Sequence, residues 1–300
     1  LQGEISKRGI VDVLRNGIKV YPADLIMFYL TPSEGNEKAK EMFRKNIFSV
    51  IRQLRYSQDA AKLALDLCVF INGLPVATFE LKNQITKQNT DDAVQQYKDD
   101  RDSRDLLFSF KRCMVHFAVD DARIKFCTKL AGKDSWFLPF DKGYNDGAGN
   151  PPNPDGIMTD YLWKDILTKE KLTLIIENYA QVVVEVDEDT KKKKEKQIFP
   201  RYHQMDVVRK LVGDVRQNGS GHNYLVQHSA GSGKSNSIAW TAYRLASLHD
   251  ADNKPIFSSV VIVTDRTVLD AQLQETISGF DHTLGSVVTI GEKMNSRDLR

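Results

Sequence analysis

The chain has 300 residues, 41% of them hydrophobic, with 42 basic and 40 acidic side chains and a formal net charge of +2. That length supports two domains with separate cores, and the balanced charge excludes a globally basic nucleic-acid binder, so any DNA track must be local. The three cysteines, Cys68, Cys113 and Cys127, form no C-x-x-C pair, which points to a reducing cytoplasm and away from a zinc module. No run reaches the roughly 18 apolar residues that a membrane span needs. A start at Leu1, without Met or a signal-like segment, reads as an internal piece of a longer protein.

In chain order, Gly17 to Tyr21 is strand-like, and the mainly apolar Leu25 to Leu30 runs into breakers at Pro32, Ser33 and Gly35. A helix is expected from Glu37 to about Ile47, while Phe48 to Tyr56 suits either helix or strand. Glu37 and Glu41 are candidates to complete a metal site, although a solvated helix face accounts for both.

Leu65 to Lys82 then reads as two apolar strands joined at Asn72-Gly73, with Asp66 on the first and Glu80-x-Lys82 on the second. Residues two apart on a strand share a face, so Glu80 and Lys82 project together. Charges on apolar strands need partners or a metal, and two carboxylates can hold a hard cation such as Mg²⁺. A neighbouring lysine can stabilise a phosphate oxygen or position a water, which suits phosphodiester hydrolysis. The alternative is an ordinary hairpin with salt-bridged edge charges. The first reading carries a geometric requirement. A clean two-residue turn would set Asp66 against Phe79, so facing carboxylates demand an odd-length loop or a bulge.

Asp91 to Lys98 begins a helix with acids at its N-terminus, from which Gln96 or Tyr97 could reach the hairpin. Strands are expected at Arg112–Val119 and Ala122–Lys129, with His116 as a satisfied core or edge histidine. Asp141 to Asp155 is a glycine-, proline- and asparagine-rich surface loop. Leu162 to Tyr179 reads helical and Val182 to Val186 as a strand. The run Lys191 to Lys194, among Glu188, Asp189 and Glu195, reads as a mobile solvated loop rather than a DNA-binding patch.

Gln204 to Arg216 is an amphipathic helix. Tyr224 to Gln227, expected as a strand, leads into His228-Ser229-Ala230-Gly231-Ser232-Gly233-Lys234-Ser235 and a further helix. That order is the context of a phosphate-binding loop, in which glycines let backbone N–H groups curl around phosphates at a helix N-terminus. Lys234 would reach the β- and γ-phosphates and Ser235 would ligate Mg²⁺. His228 stands where the general pattern has its first glycine. Ser258 to Thr264 has the composition of a parallel strand buried on both faces, Asp265-Arg266-Thr267 follows it, and Val287 to Ile290 is one more strand. No acidic strand end follows to serve as a second Mg²⁺-positioning motif.

Taken together, Asp66…Glu80-x-Lys82 followed by Gly231 to Ser235 resembles the restriction (R, motor) subunit of type I restriction-modification enzymes. So do Asn46 to Leu54, Asn72-Gly73-Leu74-Pro75, Tyr202-His203-Gln204, and Val263 to Arg266 continuing to Leu269 and Gln272. The resemblance implies an α/β chain: a PD-(D/E)xK nuclease-like mixed-sheet domain over 1–160 and a connector over 161–198. The first part of a RecA-like, superfamily 2 helicase lobe then covers 199–300. It further implies that Asp66 and Glu80 hold the nuclease Mg²⁺, that Lys82 is the catalytic lysine, and that Gln204 reads adenine. Gly231, Ser232, Gly233, Lys234 and Ser235 would bind ATP and its Mg²⁺, and Thr264-Asp265-Arg266 would lie near the DNA track. Gln96 fits the glutamine of a Gln-x-x-x-Tyr motif, yet the fourth position on is Asp100 and the tyrosine is Tyr97. Implied partners are double-stranded DNA and the methyltransferase and specificity subunits, in the cytoplasm with no membrane. The implied activity is ATP-dependent DNA cleavage coupled to translocation, with a fragment of this length alone expected to hydrolyse ATP poorly. The alternatives are a repair or phage-defence helicase–nuclease without a methyltransferase, and an ATP-gated DNA clamp with an inactive nuclease fold.

Overall fold

In the computed structural model, residues 1–32, 35–57, 63–186, 192–250, 252, 254–264, 273–274 and 276–277 are described. The chain divides into two compact units, Leu1–His203 and Gln204–Arg300. The first opens with α1 (Gln2–Arg8), α2 (Ile10–Asn16), a small hairpin of β1 (Ile18–Val20) and β2 (Ala23–Leu25), and α3 (Glu37–Arg44). Asn36 caps α3 by accepting from the Ala39 N–H.

Next come β3 (Phe48–Arg55), β4 (Ala64–Ile71), β5 (Leu74–Leu81), α4 (Thr90–Asp100), β6 (Val115–Val119), β7 (Ile124–Cys127) and β8 (Leu138–Pro139). These strands form one mixed sheet in the order β3-β4-β5-β6-β7-β8. Only the β5–β6 pair is parallel, and α4 makes that crossover. The open segment at 48–56 is therefore a strand, and the expected strand at 112–119 is shorter because Arg112 to Met114 lie in a turn before it.

The sheet is covered on both faces, which explains why β5 is almost wholly buried. Phe79, Phe117, Phe126, Phe140 and Phe199 pack together on one face. On the other, Tyr97 of α4 joins Phe108, Cys68, Cys113, Ala118 and Cys127 in an apolar cluster. His116 is buried there with Nδ1 2.7 Å from the Thr78 hydroxyl, which is also 2.9 Å from the Tyr97 hydroxyl. All three cysteines are free and buried.

The stretch expected as a connector is built into the first unit. It contains a π-helical turn at Leu162–Ile166, α5 (Lys169–Asn178), β9 (Gln181–Val186) and β10 (Lys193–Ile198). Arg15 of α2 donates to the carbonyls of Ile176 and Ala180, and Gln197 donates to those of Cys113 and Met114. The lysine run is in part a strand and not a loop: Lys193 and Lys194 pair with Val186 and Glu185. β10 is exposed from Lys193 to Lys196 and becomes buried only at Gln197. Residues 187–191 lie outside the described residues.

The second unit holds α6 (Tyr202–Asn218), most of which lies beyond residue 203, and α7 (Lys234–Ala246). The expected strands at 224–227 and 258–264 form no ladder among the described residues. Both runs have the composition of strands buried on two faces, but without hydrogen-bonded neighbours they stay open, leaving Leu225 and Val263 largely exposed. Thr264 is described, whereas Asp265, Arg266, Thr267, Leu269, Gln272 and the 287–290 strand lie outside the described residues. No helix among the described residues is long and apolar enough to cross a membrane.

Candidate nuclease and nucleotide sites

Asn72 and Gly73 form a two-residue turn with φ of 50° and 81°, so Ile71 pairs with Leu74 and Phe70 with Pro75. Two positive φ values in succession are what a type I′ turn needs. The register then slips: Val69 pairs with Ala77, and Val76 is the extra, bulged residue. Cys68 faces Thr78 and Leu67 faces Phe79, so one further step sets Asp66 across from Glu80. Of the two devices that bring these carboxylates together, the chain uses the bulge, and its turn is the short one.

Glu80 is fully buried and Asp66 half-buried. Asp66 Oδ2 accepts from the Leu81 backbone N–H at 2.8 Å, and Oδ1 accepts from Gln53 Nε2 at 3.0 Å. Glu80 Oε1 accepts from Arg101 Nε at 2.6 Å in an ion pair with almost no solvent exposure. Glu80 Oε2 is buried with no hydrogen-bond partner. Burial pushes the Glu80 carboxyl up to about 7; Arg101 opposes the rise and the nearby Asp66 adds to it.

A buried carboxylate oxygen with no hydrogen-bond donor, beside a second carboxylate, gives a pair of hard oxygen ligands of the kind that fits Mg²⁺. No group of three or more His, Cys, Asp or Glu side chains among the described residues could hold a metal, so this set would be completed by water, backbone or substrate oxygens. Glu37 and Glu41 do not join it; on α3 they pair with Lys40 and Lys45.

Lys82 follows on the face of Glu80, its Nζ donating to Gln96 Oε1 at 2.6 Å. Gln96 thus reaches the site from α4, and Tyr97 points into the core. Sequence reasoning missed two residues that touch the carboxylates. Arg101, just past the end of α4, also donates to the Tyr56 hydroxyl and the Ala64 carbonyl. Its signal was the demand that a buried glutamate have a counter-charge. Gln53 lay inside the Asn46 to Leu54 phrase without a role.

In the second unit, Gly231 and Gly233 take φ of 69° and 83°, and α7 starts at Lys234. A Cβ at Gly233 would meet only the movable end of the Gln204 side chain, so the positive φ, more than space, calls for glycine there. Gln204 is buried and donates to the Gly233 carbonyl at 2.9 Å, so its amide is turned into the loop. His228 Nδ1 lies 3.2 Å from the Ser232 hydroxyl, which donates to the Ser229 carbonyl at 2.7 Å. The loop thus has the left-handed glycines and helix start that a phosphate cradle requires, with exposed Lys234 and half-buried Ser235 at its end.

Residues 26–135, which contain Gln53, Asp66, Glu80, Lys82, Gln96 and Arg101, match the family described as type I restriction enzyme R protein N terminus. Residues 203–298, which contain Gln204 and the glycine loop, match the SWI2/SNF2 ATPase family. The chain is 26% identical over 245 residues to the type I restriction enzyme HindI endonuclease subunit of Haemophilus influenzae, covering 79% of this chain and 22% of that protein. It is likewise 26% identical over 247 residues to a putative type I restriction enzyme endonuclease subunit, MjaVIIIP, of Methanocaldococcus jannaschii, covering 78% of this chain and 21% of that one. The chain therefore spans only about a fifth of the length of these relatives. The family match in the first half and relatives aligned over about four-fifths of the chain make it similar to the N-terminal part of the R, or endonuclease, subunits of type I restriction enzymes.

Proposed function

We propose that the first unit is a PD-(D/E)xK-type endonuclease domain and that the second is the start of a RecA-like motor lobe. Together they would serve ATP-dependent cleavage of double-stranded DNA in the cytoplasm, alongside methyltransferase and specificity subunits. The observation that carries the reading is the Val76 bulge, which turns Asp66 and Glu80 toward each other and leaves Glu80 Oε2 without a partner. Asp66 and Glu80 would hold Mg²⁺, which when bound polarises the scissile phosphate and favours ionisation of the attacking water. Lys82, steadied by Gln96, presents an ammonium on the same face for a phosphate oxygen or a water proton. Arg101 favours the charged form of Glu80 against burial, and its bonds to the Tyr56 hydroxyl and the Ala64 carbonyl hold the guanidinium in place against that carboxylate.

In the second unit, Gly231 to Ser235 would bind the ATP phosphates and their Mg²⁺. Gln204 would exchange its bond to the Gly233 carbonyl for the adenine edge.

The test uses the full-length protein with its modification partners on unmethylated circular DNA. Asp66→Ala is expected to abolish Mg²⁺-dependent cutting while ATP turnover persists, and Lys234→Ala to lose both. Normal cutting by Asp66→Ala would remove the hairpin from the chemistry.

A further inference from the structure

Gln53 has φ of 50°, inside an eight-residue strand. Any residue with a Cβ is disfavoured there, because Cβ crowds the following carbonyl oxygen. Nothing in the core requires this turn: Gln53 is exposed, and β3 is an edge strand of its sheet. The β3–β4 register passes from Arg52↔Leu67 to Leu54↔Leu65, which brings Gln53 opposite Asp66. That register already sets the two side chains on one face, and Gln53 Nε2 lies 3.0 Å from Asp66 Oδ1. A carboxylate can only accept, so the amide must present its nitrogen.

Asp66 is thereby held from both flanking strands, by the Gln53 amide from β3 and the Leu81 backbone N–H from β5. We infer that Gln53 is a positioning residue: its amide, a neutral donor, holds Asp66 from the edge strand and fixes that carboxylate for the divalent cation. This rests on the nuclease reading of the hairpin. A neutral amide suits the task. A lysine here would compete with the cation for the charge of Asp66, and a glutamate would repel it. Strained backbone clusters at functional sites, and Gln53 carries its positive φ beside a candidate metal-binding carboxylate.

Gln53→Gly separates this role from a structural one, because glycine accepts the left-handed φ freely but has no amide. The measurement is Mn²⁺ binding to the full-length protein without nucleotide, read from the EPR signal of free Mn²⁺, alongside thermal unfolding. Asp66→Ala defines the binding that belongs to this site. Gln53→Gly is expected to weaken that binding about tenfold, within the range for residues that orient metal ligands, with Tm unchanged or raised. Gln53→Asn, which also tolerates φ > 0 but is one methylene short, is expected to weaken it similarly. Wild-type Mn²⁺ affinity in Gln53→Gly, with or without a fall in Tm, would overturn the inference while leaving the nuclease reading intact if Asp66→Ala has lost binding. Wild-type affinity in Asp66→Ala itself would remove the nuclease reading and this inference with it.

Discussion

Taking away Arg101 would strand the Glu80 carboxylate in the sheet interior with no counter-charge. Both side chains are almost completely shielded from solvent, so Arg101→Ala is expected to destabilise the first unit by about 3–5 kcal/mol. Arg101→Lys should cost less, because it keeps the charge but cannot serve Glu80, the Tyr56 hydroxyl and the Ala64 carbonyl at once. Urea unfolding of the two variants checks both expectations, and equal losses would mean that the charge itself matters little. His116 supplies a pH dependence of its own. Burial among Thr78, Tyr97 and Phe108 lowers its pKa to about 3 from an ordinary 6.5. The unfolded chain therefore binds a proton in this window that the folded chain refuses. Stability from this residue is complete above about pH 6.5 and is lost as pH falls toward 3, by up to about 1.4 kcal/mol per pH unit. Measuring wild type minus His116→Asn from pH 7 to 5 isolates the term, since other groups cancel; a flat difference would contradict it. Asp66, Glu80 and Lys82 were legible because charge on apolar strands is conspicuous in one dimension. Arg101 and Gln53 were not, because their partners lie 21 and 13 residues away along the chain.

At the level of elements, the β4–β5 hairpin shows what a turn residue is for. Gly73 has φ of 81°, and a Cβ there would meet nothing within 4 Å. Gly73→Ala should therefore cost only the conformational penalty, about 1 kcal/mol. Gly17, with φ of 65°, is different, because its Cβ would strike the Leu25 carbonyl oxygen of the neighbouring hairpin. Thermal unfolding of the two alanine variants should rank Gly17→Ala clearly below Gly73→Ala, and the reverse order would show that backbone crowding is relieved by movement of β2. The requirement for a bulge or an odd loop followed from parity alone. Which one occurs did not, because Asn-Gly favours the short turn and displaces the irregularity to Val76. Helices starting near 37, 91 and 204 were readable from helical periodicity and acidic N-termini, which are local properties, although the first ends at Arg44 and not near Ile47. The runs at 224–227 and 258–264 were not, because a strand exists only with a neighbour, and composition does not say where the neighbour is.

Across the whole molecule, 42 basic against 40 acidic residues leave no broad field to gather a polyanion. Engagement of DNA would have to come from a local feature such as the Lys82 face. The two units divide the sequence evidence between them. The endonuclease-family match falls in the first, and the SWI2/SNF2 ATPase match falls, but for one residue, in the second. In the first unit most strands of the mixed sheet and the helices at 37–44 and 90–100 were legible, whereas α1 and α2 carried no expectation and the connector's place was hidden, since Arg15 and Gln197 tie it in through contacts far apart in sequence. The Val76 bulge has a further consequence, for how the gene can change. Residues 67–79 are 13 in number, an odd count that an antiparallel hairpin with a two-residue turn can accommodate only with one residue left over. A codon gained or lost between Asp66 and Glu80 therefore does more than lengthen or shorten a loop. It must be absorbed by creating or erasing a bulge, or it turns one carboxylate to the opposite side of the sheet. Mutational drift in this hairpin is thus counted in twos, and single-codon changes survive only where the irregularity changes with them.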